Sequence, residues 1–454
     1  MNRETSHFDR IVQAVEVLMA GPETSDRPFL LPGATYGQVY AMAAHLCGAM
    51  VGSTGPVCVF AENRAVIAAA LIAGLFTRRP LLLPHAVTIA VMEQLRRQVD
   101  FTLAVVDRDA PLPFGVQALL PVPDGRFQTS DFVPPPPDTG WVYLFTGGST
   151  GRPRIWSKTV ENLIGEAAYL VEAYGFSPDD RIVATVPALH IYGLLYSVLA
   201  PLISSAGVSA AAPSFPREIA AAAKACRATI LVSVPVHYRA MKETDVHCPS
   251  PRLAFSSAGP LDADDADAFF QKTGTGVTEI YGSTETGGIA ARCRAEGRQD
   301  LRPFSPVDWK IAAGQLHVRS PFLSPELPTE AKGFFKTGDR AAAAPEGGFT
   351  LLGRTDGVVK VGGKRVDTEE IRERIRSFPG VREAVVAALP TENGRQSAIG
   401  ALVEGDVDPD ALRRQLADHL APQAVPRRIR VVGKIPVTAA GKFDRQLVVD
   451  LLTI

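Results

Sequence analysis

Trp141-Val-Tyr-Leu-Phe-Thr-Gly-Gly-Ser-Thr-Gly151 joins a run of strand-forming residues to a run of small and hydroxyl-bearing ones, and this junction decides the fold. Aromatic and β-branched side chains favour extended backbone, and the glycines that follow end it in a loop. The same pattern recurs downstream. Arg181-Ile-Val-Ala-Thr-Val186 leads into Pro187-Ala-Leu-His190, Arg252-Leu-Ala-Phe255 into Ser256-Ser-Ala-Gly259, and Val277-Thr-Glu-Ile-Tyr281 into Gly282-Ser-Thr-Glu285. Helix-like stretches separate these apolar runs, so the pattern predicts an α/β fold. In open sheets of that kind ligands bind beyond the carboxyl ends of the strands, which makes the four loops candidates for one shared site.

Upstream, Val57 to Ala61 and Pro80 to Leu83 read as short buried strands. The apolar run between them, Ala65 to Phe76, is flanked by Arg64 and Arg78 and is too short to span a bilayer, so it reads as a buried helix. The texture changes at Gly353-Arg-Thr-Asp-Gly357, a turn-rich joint. Beyond it the patterning predicts a helix over 367–377, strands over 384–389 and 398–403, a helix over 409–420 and a strand over 428–432. The expected organisation is a large N-terminal domain of α/β sheets with helices over 1–352, a hinge at 353–357 and a small α+β domain over 358–454.

Composition narrows the class. Of 454 residues 46% are hydrophobic and 21% charged, the balance of a globular protein with a sizeable core. A net charge of -1 excludes nucleic acid and anionic membrane as bulk electrostatic partners. The five cysteines are scattered with no CxxC pair, which argues against disulfide and zinc frameworks and for a reducing, cytoplasmic setting. Residues Met1 to Arg10 are polar and hold no apolar stretch suited to a secretory signal.

Several short motifs carry chemistry. Thr146-Gly-Gly-Ser-Thr-Gly-Arg-Pro-Arg154 lets the backbone turn inward and aim several N–H groups at one anion, though it lacks the Gly-Lys-Ser/Thr ending of a Walker loop. In Tyr281-Gly-Ser-Thr-Glu285 a hydroxyl and a carboxylate sit side by side; a carboxylate beside phosphate suits Mg²⁺, a hard ion that prefers oxygen ligands. Lys336-Thr-Gly-Asp339 offers a carboxylate to two ribose hydroxyls, Arg354 offers a guanidinium, and Pro436-Val-Thr-Ala-Ala-Gly-Lys442 presents one lysine on a small-residue loop. Taken singly, each such charge is more often a solvated surface group.

Taken in order, these motifs resemble those of the adenylate-forming superfamily: acyl-CoA synthetases, carrier-protein-loading adenylation domains and beetle luciferase. The family's phosphate loop is similar to Phe145 to Arg154, its aromatic-Gly-x-Thr-Glu motif to Tyr281 to Glu285, and its Thr-Gly-Asp to Thr337 to Asp339. Its Gly-Arg-x-Asp joint is matched by Gly353 to Asp356 and its closing P-x-T-x-x-G-K by Pro436 to Lys442, so the resemblance runs from about Trp141 to the end. It implies that ATP and Mg²⁺ are used to join a carboxylate to AMP, and that the acyl group then passes to the thiol of CoA or of a carrier-protein phosphopantetheine. By the same resemblance Thr146, Gly147, Ser149, Thr150 and Gly151 cradle phosphates, Thr284 touches the α-phosphate and Glu285 holds the metal. Ser257, Ala258, Gly259, Pro260, Tyr281 and Gly282 form the adenine slot, Asp339 and Arg354 address the ribose, and Lys442 bridges the substrate carboxylate and ATP. Asp356 is the implied hinge of a mobile C-terminal domain, and Gly362 and Gly363 line the implied thiol channel. Two departures stand out: Gly147 replaces the usual serine and Arg154 the usual lysine, which keeps the charge but changes its shape.

His190 matches the position that gates the acyl pocket in the family's acyl- and aryl-CoA ligases. Relatives that activate amino acids usually carry an aspartate just after this region to pair with the ammonium, and from Pro187 to Ser205 there is no acidic residue. A buried unpaired ammonium is costly, so an α-amino acid is disfavoured. The segment Arg154-Ile-Trp-Ser-Lys-Thr159 is similar to a bacterial group that starts aryl-polyene and xanthomonadin-type pigments by loading a hydroxybenzoate-like acid onto an acyl carrier protein. The expected substrate is therefore a non-amino, hydroxybenzoate-like acid, with a fatty acid as the alternative and a catalytically silent nucleotide-binding homologue as the rival of another class.

Overall fold

The computed structural model describes residues 6–123, 135–146, 154–345, 347–354, 357–361, 364–389, 398–420, 422–438 and 441–453. Strands Val57–Phe60, Leu81–Leu83, Leu103–Val106 and Ile230–Ser233 are buried at every position, as parallel strands covered on both faces must be. The apolar run after Arg64 forms the expected helix, Arg64–Thr77, buried almost throughout. The Asn63 side chain caps its start by accepting from the Ala65 N–H, and Arg78 ends it in the left-handed conformation.

Among the described residues two large sheets form. The first has six strands in the order Gln117–Leu119, Leu103–Val106, Val57–Phe60, Leu81–Leu83, Gly140–Thr146 and Arg154–Thr159. Its last pair is antiparallel and the other pairs are parallel. The second has eight strands, with Arg181–Ala184, Ile230–Ser233, Leu253–Ser256 and Val277–Ser283 as parallel neighbours at its centre. Gly287–Cys293 then folds back antiparallel on Val277–Ser283. The strand opening at Gly140 thus belongs to one sheet and the other three motif strands to another, so the four loops do not leave a single sheet.

Residues Trp309–Val318 and Thr329 onward form a second compact unit, apart from the described residues up to Asp308 together with Arg319–Pro328. The expectation drew its line at residue 352; grouping by contact keeps the strands Phe335–Ala343 and Phe349–Arg354, which pair antiparallel, with the C-terminal portion. Further on, Val381–Leu389, Ala398–Gly405 and Arg428–Val432 make a three-stranded sheet. Alternation along Ala398–Gly405 sends Ile399, Ala401 and Val403 into a core with Ile371, Ile375, Leu412 and Leu416. Ala398 and Leu402 enter another with Val385, Leu389, Val448 and Leu452. The helices that supply Ile371, Ile375, Leu412 and Leu416 begin where expected: Asp367 caps Thr368–Arg376 and Asp408 caps Pro409–His419, each carboxylate accepting from two backbone N–H groups. The helix Arg445–Thr453, which supplies Val448 and Leu452, is not among the expected elements. Among the described residues no helix is long and apolar enough to cross a membrane.

Leu402 is fully buried. Leu402→Ala is expected to cost about 2–5 kcal/mol, read as lost hydrogen-exchange protection along strand Ala398–Gly405.

Candidate active site

The loops that follow strands Arg181–Ala184, Leu253–Ser256 and Val277–Ser283 leave the eight-stranded sheet at one edge, because these strands run parallel on either side of Ile230–Ser233. The register pairs Val232 with both Ala184 and Phe255, and Ser256 with Glu279, so the strand ends stay level. His190, Ser257 to Pro260 and Thr284 to Glu285 are therefore brought to the same edge, as the sequence predicts.

Each loop is built by a local constraint. Val277–Ser283 runs two residues past Tyr281, with a bulge between Tyr281 and Gly282, before the chain turns at Thr284 and Glu285. A Cβ on Gly282 would lie 2.3 Å from the Gly287 carbonyl oxygen, so only glycine lets the two strands approach this closely. Ser283 and Thr286 lock the turn: Ser283 N–H donates to Thr286 Oγ1 at 3.0 Å and Thr286 N–H to Ser283 Oγ at 3.2 Å. Thr284 and Glu285 at its tip are half-buried, and the Glu285 carbonyl accepts from Ser324 N–H at 2.8 Å.

In the neighbouring loop Ser257 donates to the Ile280 carbonyl at 2.9 Å, which ties it to the adjacent strand. Ala258 then takes a φ of 71°, a left-handed conformation that costs a non-glycine residue free energy and recurs at functional sites. The buried Ser256 hydroxyl has no hydrogen-bond partner among the described residues. Gly259 and Pro260 complete the loop, and Tyr281 is half-buried.

His190 stands at the N-cap of a short helix, Ile191–Leu194, which passes directly into a π-helical turn, Leu195–Leu199. Such turns are frequent at functional sites. Gly193 is required here because its Cβ would lie 2.1 Å from the Pro187 carbonyl oxygen.

A polar cluster that the sequence reading missed lies at the same edge. Thr185 Oγ1 and Ser233 Oγ are 3.0 Å apart, His237 Nδ1 lies 2.9 Å from Thr185 Oγ1, and Tyr192 OH donates to the Ser233 carbonyl at 3.2 Å. Each residue comes from a different strand end or helix start, so only the fold reveals the group.

Two buried charges were missed as well. Lys158 lies on the strand Arg154–Thr159 that follows the glycine-rich loop, and it is fully buried. Its ammonium donates to the carbonyls of Glu285 at 3.1 Å and Phe322 at 2.8 Å. Glu166, on helix Val160–Tyr174, accepts from Gly288 N–H at 2.8 Å. Burial pushes Lys158 below the ordinary amine range and Glu166 above the ordinary carboxylate range, and each charge opposes the other's shift. The available signal was pairing: Lys158 sits opposite the fully buried Val142, which is evident only once the register is known.

Of the phosphate-loop residues, Thr146 ends strand Gly140–Thr146. Gly147, Ser149, Thr150 and Gly151 lie outside the described residues, as do Asp356, Gly362 and Gly363. In the second unit the structure sets Asp339 directly opposite Arg354 across the antiparallel pair. Thr337 is buried and donates to the Leu316 carbonyl at 2.9 Å while accepting from Asp339 N–H at 3.2 Å, so the Thr-Gly-Asp threonine is a brace for the aspartate. Lys442 is exposed on a loop closed by Thr438 N–H donating to the Lys442 carbonyl at 2.7 Å, with Gly441 at a φ of 74°.

Residues 38–333 match the model of the AMP-binding enzyme family, and residues 370–442 match the AMP-binding enzyme C-terminal domain. A sulfoacetate–CoA ligase from Cupriavidus necator is 26% identical over 88% of this chain and 82% of its own. A 4-coumarate–CoA ligase from Cereibacter sphaeroides is 29% identical over 66% of this chain and 69% of its own. Among solved structures, ATP-bound MatB from Rhodopseudomonas palustris superposes with a TM-score of 0.81 at 21% identity, over 97% of this chain and 98% of that one. The o-succinylbenzoate coenzyme A synthetase of Bacillus subtilis, solved with ATP and magnesium ion, reaches 0.79 at 19% identity, over 98% and 99%.

Gly282→Ala must push apart a pair of strands that now touch backbone to backbone. The overpacking is expected to cost about 1–3 kcal/mol, measured as a lowered thermal midpoint, while Gly48→Ala, on helix Tyr36–Met50 with open space around it, stays within about 1 kcal/mol of the parent.

Proposed function

The chain belongs to the family of AMP-binding enzymes and is an adenylate-forming acid–thiol ligase, and we propose that it activates a non-amino, hydroxybenzoate-like aromatic acid and passes it to a pantetheine thiol. The observation that carries this reading is the gathering of the Ser257–Pro260 loop, the Thr284–Glu285 turn and His190 at one sheet edge, within the portion of the chain that the family model matches.

Carboxylates are poor electrophiles. The reaction overcomes this by letting a carboxylate oxygen attack the α-phosphorus of ATP; the bond to the β-phosphate oxygen breaks, pyrophosphate leaves and the acyl group remains joined to AMP. Little covalent work falls to the protein, which positions the reactants and stabilises developing negative charge. The strained Ala258 and the neighbouring Gly259 and Pro260 shape a slot for the adenine ring beside Tyr281 and Gly282. Thr284 donates to the α-phosphate, while Thr146, Gly147, Ser149, Thr150 and Gly151 receive the outer phosphates. The Glu285 carboxylate fits Mg²⁺, which takes one or two carboxylates together with phosphate oxygens; when bound, the ion neutralises charge on the leaving pyrophosphate. Asp339 and Arg354, opposite each other in register, address the ribose hydroxyls. Lys442 places its ammonium between the attacking carboxylate and the nucleotide. Asp356 is the hinge of this reading, and Gly362 and Gly363 are the residues it assigns to the thiol channel.

Three features favour the acid named. No acidic residue lies between Pro187 and Ser205 to pair with a substrate ammonium. The Thr185–Ser233–His237 cluster, at the same sheet edge as His190, supplies hydrogen-bonding groups that suit a ring hydroxyl and that an alkyl chain does not need. A 4-coumarate–CoA ligase and a feruloyl-CoA synthase stand among the relatives. Every relative named is a CoA ligase or synthase, so CoA is the first thiol to test and an acyl carrier protein the second.

Pyrophosphate release screened over hydroxybenzoates, cinnamates, fatty acids, small dicarboxylates and amino acids is expected to be fastest with a hydroxybenzoate or cinnamate; turnover with long fatty acids alone would overturn the choice of acid. Lys442→Ala is expected to slow acid-dependent ATP–pyrophosphate exchange by about 100-fold or more with the fold intact. Unchanged exchange in that variant would remove Lys442 from the chemistry. Absence of exchange with every acid, in a wild-type protein that still binds ATP, would mark a silent nucleotide-binding homologue.

A further inference from the structure

We propose that Lys158 and Glu166 form a buried positioning pair that holds the Thr284–Glu285 turn at a set distance from the strand leaving the glycine-rich loop. The inference rests on the adenylation reading above and adds two residues that touch neither nucleotide nor acid.

The geometry is that of a clamp with two jaws. Lys158 Nζ donates to the carbonyl of Glu285 and Glu166 Oε1 accepts from Gly288 N–H, so one pair of side chains holds both ends of the segment from Glu285 to Gly288. The same ammonium reaches the Phe322 carbonyl, and Asn162, one helical turn before Glu166 on the same helix face, donates to the Pro321 carbonyl at 2.6 Å. Contact is close enough to exclude a side chain at Gly287 or Gly288. A Cβ on Gly287 would lie 2.5 Å from Glu166 Oε2, and one on Gly288 2.9 Å from Oε1.

The base of the clamp is equally defined. Lys158 lies on Arg154–Thr159, which pairs with Gly140–Thr146, so both strands flanking the glycine-rich loop sit in one hairpin. Thr159 and Asn162 form a capping box that fixes the start of the helix bearing Glu166. The Ser157 N–H donates to the Glu326 carboxylate at 3.1 Å, a further tie between this strand and the 320–326 segment. The pair thus links the two phosphate-facing elements, which belong to different sheets.

A buried ammonium and a buried carboxylate are expensive to desolvate, and hydrophobic replacements of similar volume are often as stable. A role in stability alone therefore does not account for them. What a charged pair adds is direction: each grips a backbone group at a fixed angle, and a displacement of about 1 Å in a catalytic group can cost roughly 100-fold in rate.

The test compares the wild-type enzyme with Lys158→Met, Lys158→Arg, Glu166→Gln and the double variant Lys158→Met/Glu166→Gln, which leaves no unpaired buried charge. Acid-dependent ATP–pyrophosphate exchange is measured against Mg²⁺ concentration, well below each variant's unfolding midpoint and normalised to folded protein. Wild-type exchange establishes the adenylation reading by itself; without it, that reading fails before the pair is examined. For the pair, the double variant is expected to lose about 100-fold in kcat and to need about tenfold more Mg²⁺ for half-maximal rate, with KM for the acid within about twofold. Lys158→Arg is expected to recover about tenfold of the lost rate, since it keeps the charge on a different shape. Each single variant is expected to lose nearly as much as the double. A folded double variant with wild-type kcat and Mg²⁺ requirement overturns the proposal, as do single losses that simply multiply.

Discussion

Parallel pairing of Arg181–Ala184, Ile230–Ser233, Leu253–Ser256 and Val277–Ser283 is the constraint on which the rest of the site depends. Parallel neighbours cannot be closed by a tight hairpin, so the chain must return to the starting edge before each new strand. Here it returns through Pro216–Cys226, Pro235–Lys242 and Ala263–Thr273. Every strand then exits at the same edge, and residues far apart in sequence meet there without any loop needing to be long. The series stops where Gly287–Cys293 folds back, which turns the last exit into a tight hairpin. A short turn is stiffer than a crossover loop, and it is this stiff element that carries Thr284 and Glu285.

Stiffness at that edge comes from backbone crowding rather than from side-chain bulk. Gly282 and Gly193 stand where a single added carbon would collide with a carbonyl oxygen, and Ala258 holds a conformation that costs it free energy. Close approach of this kind leaves few alternative arrangements, because moving one strand means moving its neighbour. The Ser283–Thr286 exchange of hydrogen bonds satisfies the turn's own polar groups. The Glu285 carbonyl is held by Ser324 N–H and by the Lys158 ammonium, which fixes the backbone that bears its half-buried side chain.

Much of this was legible in the sequence because periodicity and local chemistry act over short ranges. The buried helix after Arg64, the capped helix after Asp367 and the strand Arg428–Val432 follow from apolar spacing and capping residues alone. The shared edge was legible too, since strands followed by small-residue loops imply it. What was not legible depends on pairing between distant segments. The strand opening at Gly140 reads like the other three, yet hydrogen bonds place it in another sheet. The grouping of Phe335–Ala343 with the C-terminal unit follows from its partners, not from its composition. The direct opposition of Asp339 and Arg354 is a fact of register, which motifs read along the chain cannot contain.

Lys158 and Glu166 illustrate the deeper limit. In a sequence, lysine and glutamate read as solvated surface groups, and the prior is sound because desolvating either is costly. Their burial becomes tolerable only through a third party: the carbonyls of Glu285 and Phe322 for the ammonium, the Gly288 N–H for the carboxylate. The Gly288 N–H lies just past the bulge at Gly282 and the turn at Glu285, and the Glu285 carbonyl takes the ammonium as a second donor beside Ser324 N–H. The carbonyl and N–H at the turn's two ends satisfy the buried charges, and the charges in turn tie down a segment that the regular ladder does not hold.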